Sequence, residues 1–158
     1  MTGLLSKISR AASSAPSLKS LQEIVVEVLS RGFAHYSWTG FYMLDSNDHN
    51  ILILGPFVGD PTPHVRIPVT EGICGAAVAS AETVIVDDVN ADPRYLSCSI
   101  ETKSEIVVPI YAHGKVIGEI DIDSRTPAAF KEEDKTFLEE VAQIMGKYVE
   151  EHDEPPSP

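Results

Sequence analysis

The sequence predicts an α+β domain in which an antiparallel sheet carries its helices on one face and leaves the other face for a site. Three observations lead there: amphipathic helical stretches near both ends, short strand-like runs joined by hairpin turns between them, and one inset of small residues suited to a short helix. The length of 158 residues fits a single domain, able to bury about 70% of its unfolded surface without staples. Hydrophobic residues make up 43% and charged residues 23%, ordinary for a globular protein, and no apolar run reaches the roughly 18 residues needed to span a bilayer. The start of the chain has Lys7 and Arg10 but no apolar core with a cleavage site, so a cytoplasmic protein is expected. Twelve basic against twenty-four acidic residues give a net charge of −12, which argues against nucleic-acid and anionic-membrane binding and fits simple solubility.

Residues 1–17 are rich in Ser and Ala and read as a flexible lead-in, irregular or weakly helical, with Ser17 placed to cap the next element. Over 18–31, Leu21, Ile24, Val25, Val28 and Leu29 recur at helical spacing, and Gly32 is the stop. The aromatic run 36–44 predicts a strand, Asp45-Ser46-Asn47-Asp48 a turn, and 51–54 the returning strand, closed by Gly55-Pro56. Residues 57–63 are too rich in breakers for an element and read as a loop, either a plain connection or one that opens toward a site. A short strand over 65–69 precedes Cys74-Gly75-Ala76-Ala77-Val78-Ala79-Ser80, a helix starting near Gly72 whose small side chains suit close packing on a sheet. Residues 83–86 read as a strand and 87–93 as a turn or capped helix start. Residues 106–112 and 116–122 form a hairpin about His113-Gly114. A closing helix shows Phe130, Phe137, Leu138, Val141, Ala142, Ile144 and Met145 on one face and Glu132-Glu133-Asp134 in its first turn. The domain is expected over 18–152 and a disordered acidic, proline-rich tail over 153–158.

The chemistry concentrates in 98–124. Alternation along a strand points Asp121 and Asp123 one way and Ile120 and Ile122 the other. Two like charges on one face are costly unless a cation or donors sit between them, or the face meets water. Binding a metal, binding an ammonium group and facing solvent all fit the pair. Metal is the weakest of the three, because His64, His113 and His152 are scattered rather than at ligand spacing. Glu105, at the mouth of the apolar run Ile106-Val107-Val108, is either a partly desolvated acid able to donate a proton or a solvated strand-end charge. Cys74 falls just inside a helix N-terminus, where the dipole favours a thiolate, and Cys98 falls in a loop. Either cysteine taken alone is more often inert than reactive, and in a reducing compartment the two are not expected to form a structural disulfide.

Six blocks, in order, carry a family resemblance: Trp38-Thr39-Gly40-Phe41-Tyr42, Leu54-Gly55-Pro56-Phe57-Val58-Gly59, Arg66-Ile67-Pro68, Gly72-Ile73-Cys74-Gly75, Ser104-Glu105-Ile106-Val107-Val108-Pro109 and Asp121-Ile122-Asp123-Ser124. Over about residues 20–150 the chain resembles the GAF-domain free methionine-(R)-sulfoxide reductases. The resemblance implies a GAF fold with a central antiparallel sheet of about six strands, terminal helices on one side, a ligand pocket under loops on the other, and commonly a homodimer. It implies thiol-dependent reduction of free methionine-(R)-sulfoxide without a cofactor or metal, with thioredoxin or another thiol restoring the enzyme. By the same resemblance Cys98 is the nucleophile and Glu105 holds and protonates the sulfoxide oxygen. Asp121 and Asp123 receive the ammonium group, and Trp38 and Tyr42 surround the methyl end. Many members carry a third, commonly resolving, cysteine where this chain has His64, which leaves either Cys74 or an external thiol to resolve Cys98. A non-catalytic GAF module that binds a small ligand is the competing reading. An interaction protein whose cysteines merely pack is a third, and it leaves Glu105, the aspartates and Trp38 without a shared reason.

Overall fold

The computed structural model describes residues 1–97 and 101–152, so Cys98 and the 153–158 tail lie outside the described residues. Among the described residues, four helices, α1 (Thr2–Ser14), α2 (Leu18–Gly32), α3 (Gly72–Ser80) and α4 (Glu132–His152), accompany six strands, β1 (Trp38–Leu44), β2 (Ile51–Val58), β3 (Arg66–Pro68), β4 (Val84–Val86), β5 (Ser104–Ala112) and β6 (Lys115–Ser124). The strands form one antiparallel sheet in the order β3-β2-β1-β6-β5-β4. β1 and β6 therefore lie at its centre.

Strict alternation sorts the central strands into two faces. Phe41 of β1, Ile106, Val108 and Ile110 of β5, and Ile120 and Ile122 of β6 meet the apolar stripes of α1, α2 and α4 in the larger core. Trp38, Tyr42 and Val107 point the other way, into a smaller core roofed by Ile73, Cys74 and Ala77 of α3. The inset helix must come close to the sheet, and its small residues allow it. A Cβ on Gly75 would sit 2.7 Å from the Val69 carbonyl oxygen.

Ser17 caps α2 as expected, its hydroxyl accepting from the Ser20 N–H at 3.1 Å. Asp134 helps start α4 by accepting the Lys131 N–H at 2.9 Å through Oδ2, while its other oxygen takes the buried Tyr36 hydroxyl at 2.6 Å.

Two elements differ from expectation. Of the two readings of the lead-in the helical one holds, and as a packed element rather than a weak one: Thr2–Ser14 is helical, with Ile8 fully buried and Leu4, Leu5, Ala11 and Ala12 packed beside it. These residues recur at helical spacing, and alanine, the best helix former, keeps the stripe thin. The Tyr148 hydroxyl, donating to the Ala15 carbonyl at 2.9 Å, ties the following turn to α4. Strand β2 also continues through Gly55-Pro56 to Val58 instead of stopping at Leu54. Its pairing with β1 slips by one residue between Tyr42↔Leu54 and Gly40↔Phe57, and that bulge accommodates a proline lacking an N–H.

Candidate active site

The sheet face beneath α3 carries three cross-strand rungs, each centred on an acid of β6. Asp123 stands between Trp38 and Glu105, Asp121 between Gly40 and Val107, and Glu119 between Tyr42 and Pro109. The glycine in the middle rung has a steric reason. A Cβ on Gly40 would lie 2.5 Å from the Trp38 ring and 2.9 Å from the Phe57 Cβ, so only glycine lets the indole lie across β1. Trp38 stacks on Phe57 at 5.5 Å between ring centroids and faces Tyr42 at 6.3 Å, building an aromatic wall.

Loops close the cavity over this floor. The Trp38 indole Nε1–H donates to the Asp60 carbonyl at 3.0 Å, and the Tyr42 hydroxyl to the His64 carbonyl at 2.7 Å. The His64 ring Nε2 lies 3.0 Å from the Ser97 carbonyl oxygen, connecting the loop before β3 to the loop after the 3-10 turn Val89–Ala91. The resulting pocket holds about 390 Å³ of empty space counted out to its mouth. Trp38, Tyr42, His64, Cys74, Glu105, Asp121 and Asp123 all line it, together with Thr62, Tyr95 and Leu96 from the loops. Six of the seven residues singled out from the sequence thus meet in one cavity. The seventh, Cys98, lies outside the described residues, three positions beyond Tyr95.

The electrostatics are those of crowded acids in a dry place. Glu105 is 5% exposed, so it is not a solvated strand-end charge. Burial pushes its carboxyl well above the usual range, and the charges of Asp121 and Asp123, then hydrogen bonds with them, push further the same way. Burial also raises Asp121, against the pull of Glu105 and Cys74. A carboxyl so placed holds its proton more tightly than a solvated one and is suited to donating it.

Cys74 corrects an expectation. Its thiol is pushed up rather than down, by burial first and then by the charges of Asp121, Glu119 and Glu105. Its Sγ lies 3.5 Å from Asp121 Oδ2. The magnitudes explain the outcome, since a helix terminus is worth about 0.3–1 kcal/mol at an exposed site. Full burial moves a titrating group by up to about 3–5 pKa units. Burial wins.

Glu119 was not singled out from the sequence. It is fully enclosed, its carboxyl raised by burial against the pull of the nearby Cys74 thiol. That thiol faces both acids, but only the Asp121 oxygen meets hydrogen-bonding geometry, and neither Glu119 oxygen does so with any described group. The signal was present, because period two places 119 on the face of 121 and 123. The loop residues Thr62, Tyr95 and Leu96 had no such signal, since irregular chain carries no periodicity.

The fold and pocket have counterparts among known proteins. The GAF domain family model matches residues 17–149. The free methionine-R-sulfoxide reductase of Saccharomyces cerevisiae is 46% identical over 112 residues, covering 70% of this chain and 62% of the yeast protein, just under two thirds of its length. A crystal structure of the free methionine-R-sulfoxide reductase from Neisseria meningitidis in complex with its substrate superposes with a TM-score of 0.88 at 37% identity, covering 93% of this chain and 86% of that one. The Staphylococcus aureus reductase, also in complex with substrate, gives a TM-score of 0.85 at 34% identity, covering 94% of each chain. With the six-stranded antiparallel sheet, the helices divided between its faces and a buried acid cluster under loops, this chain belongs to the GAF-domain free methionine-(R)-sulfoxide reductase family.

Proposed function

We propose that this protein reduces free methionine-(R)-sulfoxide to methionine at the expense of thiols. The observation that carries the reading is the rung Trp38, Asp123, Glu105 with Asp121 beside it. It combines an aromatic wall, an acid raised by burial and a seat for a cation within one pocket. A free amino acid brings an ammonium group that a methionine inside a polypeptide lacks, so Asp121 and Asp123 select the free form. Trp38 and Tyr42 receive the polarised S–CH₃ end. Glu105, its carboxyl raised by burial and then by the neighbouring aspartates, donates a hydrogen bond and then a proton to the sulfoxide oxygen.

In the reaction the thiolate of Cys98 attacks the sulfoxide sulfur, the S–O bond breaks and methionine leaves. Oxygen passes to Cys98 as a sulfenic acid, so the cysteine sulfur loses the two electrons that the sulfoxide sulfur gains. A second thiol condenses with the sulfenic acid, releasing water and leaving a disulfide, which a dithiol of the thioredoxin type reduces by exchange. Cys74 is the internal resolving thiol in this scheme. Its raised pKa makes it slow until a proton is removed, so an external thiol competes with it. The reductant fits a cytoplasmic setting, and none of the described helices is long and apolar enough to cross a membrane. A homodimer completes the reading.

The test is to incubate purified protein with free methionine-(R)-sulfoxide and dithiothreitol and to measure methionine. Cys98→Ser is expected to abolish turnover. Cys74→Ser is expected to retain it with dithiothreitol and to weaken it with thioredoxin. No turnover by protein shown to be folded by circular dichroism overturns the proposal and favours a ligand-binding module.

A further inference from the structure

The same floor has the geometry of a metal site, the reading that the sequence ranked weakest for Asp121 and Asp123 because no histidine stands at ligand spacing. Cys74 comes from α3, Glu105 from β5 and Asp121 from β6, and one ligand atom from each lies within 4.8 Å of the other two. A tetrahedral Zn²⁺ with Zn–S of about 2.3 Å and Zn–O of about 2.0 Å sets sulfur and oxygen about 3.5 Å apart. Cys74 Sγ and Asp121 Oδ2 are 3.5 Å apart. All three side chains are more than nine-tenths buried, so their positions are set by packing and not by solvent. A second observation favours a cation here. Glu119, fully enclosed and on the same strand face, has both oxygens without a partner in hydrogen-bonding geometry. Enclosed carboxylate oxygens left so are costly, and a dication beside them offsets that cost.

We propose that Cys74, Glu105 and Asp121, backed by Glu119, bind a thiophilic divalent cation of the Zn²⁺ class in the pocket, and that this cation and an amine-bearing ligand exclude each other. One soft sulfur with hard carboxylate oxygens suits Zn²⁺ or Cd²⁺ better than Mg²⁺ or Ca²⁺, which take oxygen alone. Binding involves no redox change: the metal–sulfur and metal–oxygen bonds form as the Cys74 thiol and the Glu105 carboxyl, itself raised by burial, give up their protons to solvent. Exclusion follows because Asp121 serves both occupants. The metal site stands independently of the reductase reading, whereas displacement by free methionine sulfoxide and inhibition of turnover rest on it.

The probe is Cd²⁺ alone, titrated into reduced Cys98→Ser protein, in which Cys74 is the remaining thiol. Expected are one equivalent bound and an ultraviolet thiolate-to-cadmium charge-transfer band. Cys74→Ser in the same background is expected to lose the band, and Asp121→Asn to weaken binding at least tenfold, with Zn²⁺ displacing Cd²⁺ in competition. Absence of the band, or an affinity indifferent to both substitutions in folded protein, overturns the site. Free methionine sulfoxide in excess is expected to release the Cd²⁺, and a band that survives it overturns the mutual exclusion. Loss of turnover on adding Zn²⁺ is a separate measurement, made with a non-chelating reductant, so the metal site and the reductase reading can fail separately.

Discussion

The two faces of β6 follow the same two-residue alternation and have opposite energetics. Toward the terminal helices it presents Ile120 and Ile122, fully buried among aliphatic and aromatic side chains. Toward α3 it presents Glu119, Asp121 and Asp123, nearly as buried and far less compatible with burial. The helix face stabilises the fold at roughly 25 cal/mol per Å² of apolar surface removed from water. The pocket face opposes that gain, because its acids give up hydration and crowd one another. One strand thus separates what holds the protein together from the acids proposed to receive a cation.

The comparison breaks most sharply at Asp121. Asp121→Asn keeps the volume and removes the charge, and losing one partner of a buried charge pair costs about 2–5 kcal/mol, roughly 30-fold to several thousand-fold in kcat/KM for the sulfoxide. Its Tm is expected to hold or rise; a fall of several degrees would mean that the acid supports the fold. Ile122→Ala, one residue away on the other face, is expected to cost about 2–5 kcal/mol of stability by denaturant titration. Its kcat per folded molecule should stay near the parent value.

Glu119→Gln tests the cost of the acid face directly. It is expected to stabilise by about 1–3 kcal/mol at pH 8, with each kcal/mol raising Tm by roughly 2–4 °C. The sign follows from the raised carboxyls of Glu105, Glu119 and Asp121. A folded state that holds protons more tightly than the unfolded chain is favoured below the unfolded values of 4.5 and 3.8 and loses that advantage as pH rises. Melting curves should therefore show Tm falling from pH 5 to pH 8, less steeply in Glu119→Gln. The smallest effect is at Ser17, where Ser17→Ala removes the α2 cap for about 1 kcal/mol, with no change in pH dependence.

The helix side was largely legible because periodicity reports burial. The spacing of Leu21, Val25, Val28 and Leu29 fixes one face of α2, and Ser17 marks its start. The alternation of β6 places Asp121 and Asp123 together. What stayed hidden needed distance information. Leu4, Leu5 and Ile8 look like part of a polar, Ser/Ala-rich leader until α4 is there to receive them. The behaviour of Cys74 could not be read from its position on α3, because the groups that decide it come from β5 and β6, more than thirty residues away in sequence. Nor does any local signal bring Thr62, Tyr95 and Leu96 to one cavity.

The tethers that close that cavity share one property. Trp38 donates to the carbonyl of Asp60, Tyr42 to that of His64, and the His64 ring meets that of Ser97. Every one ends on main chain, and main-chain oxygen is the one group that mutation does not remove. As far as these tethers are concerned, positions 60 and 97 can drift in side-chain identity while the roof stays anchored. A library randomised at those two positions should therefore retain far more folded, ligand-competent members than one randomised at 38 and 42.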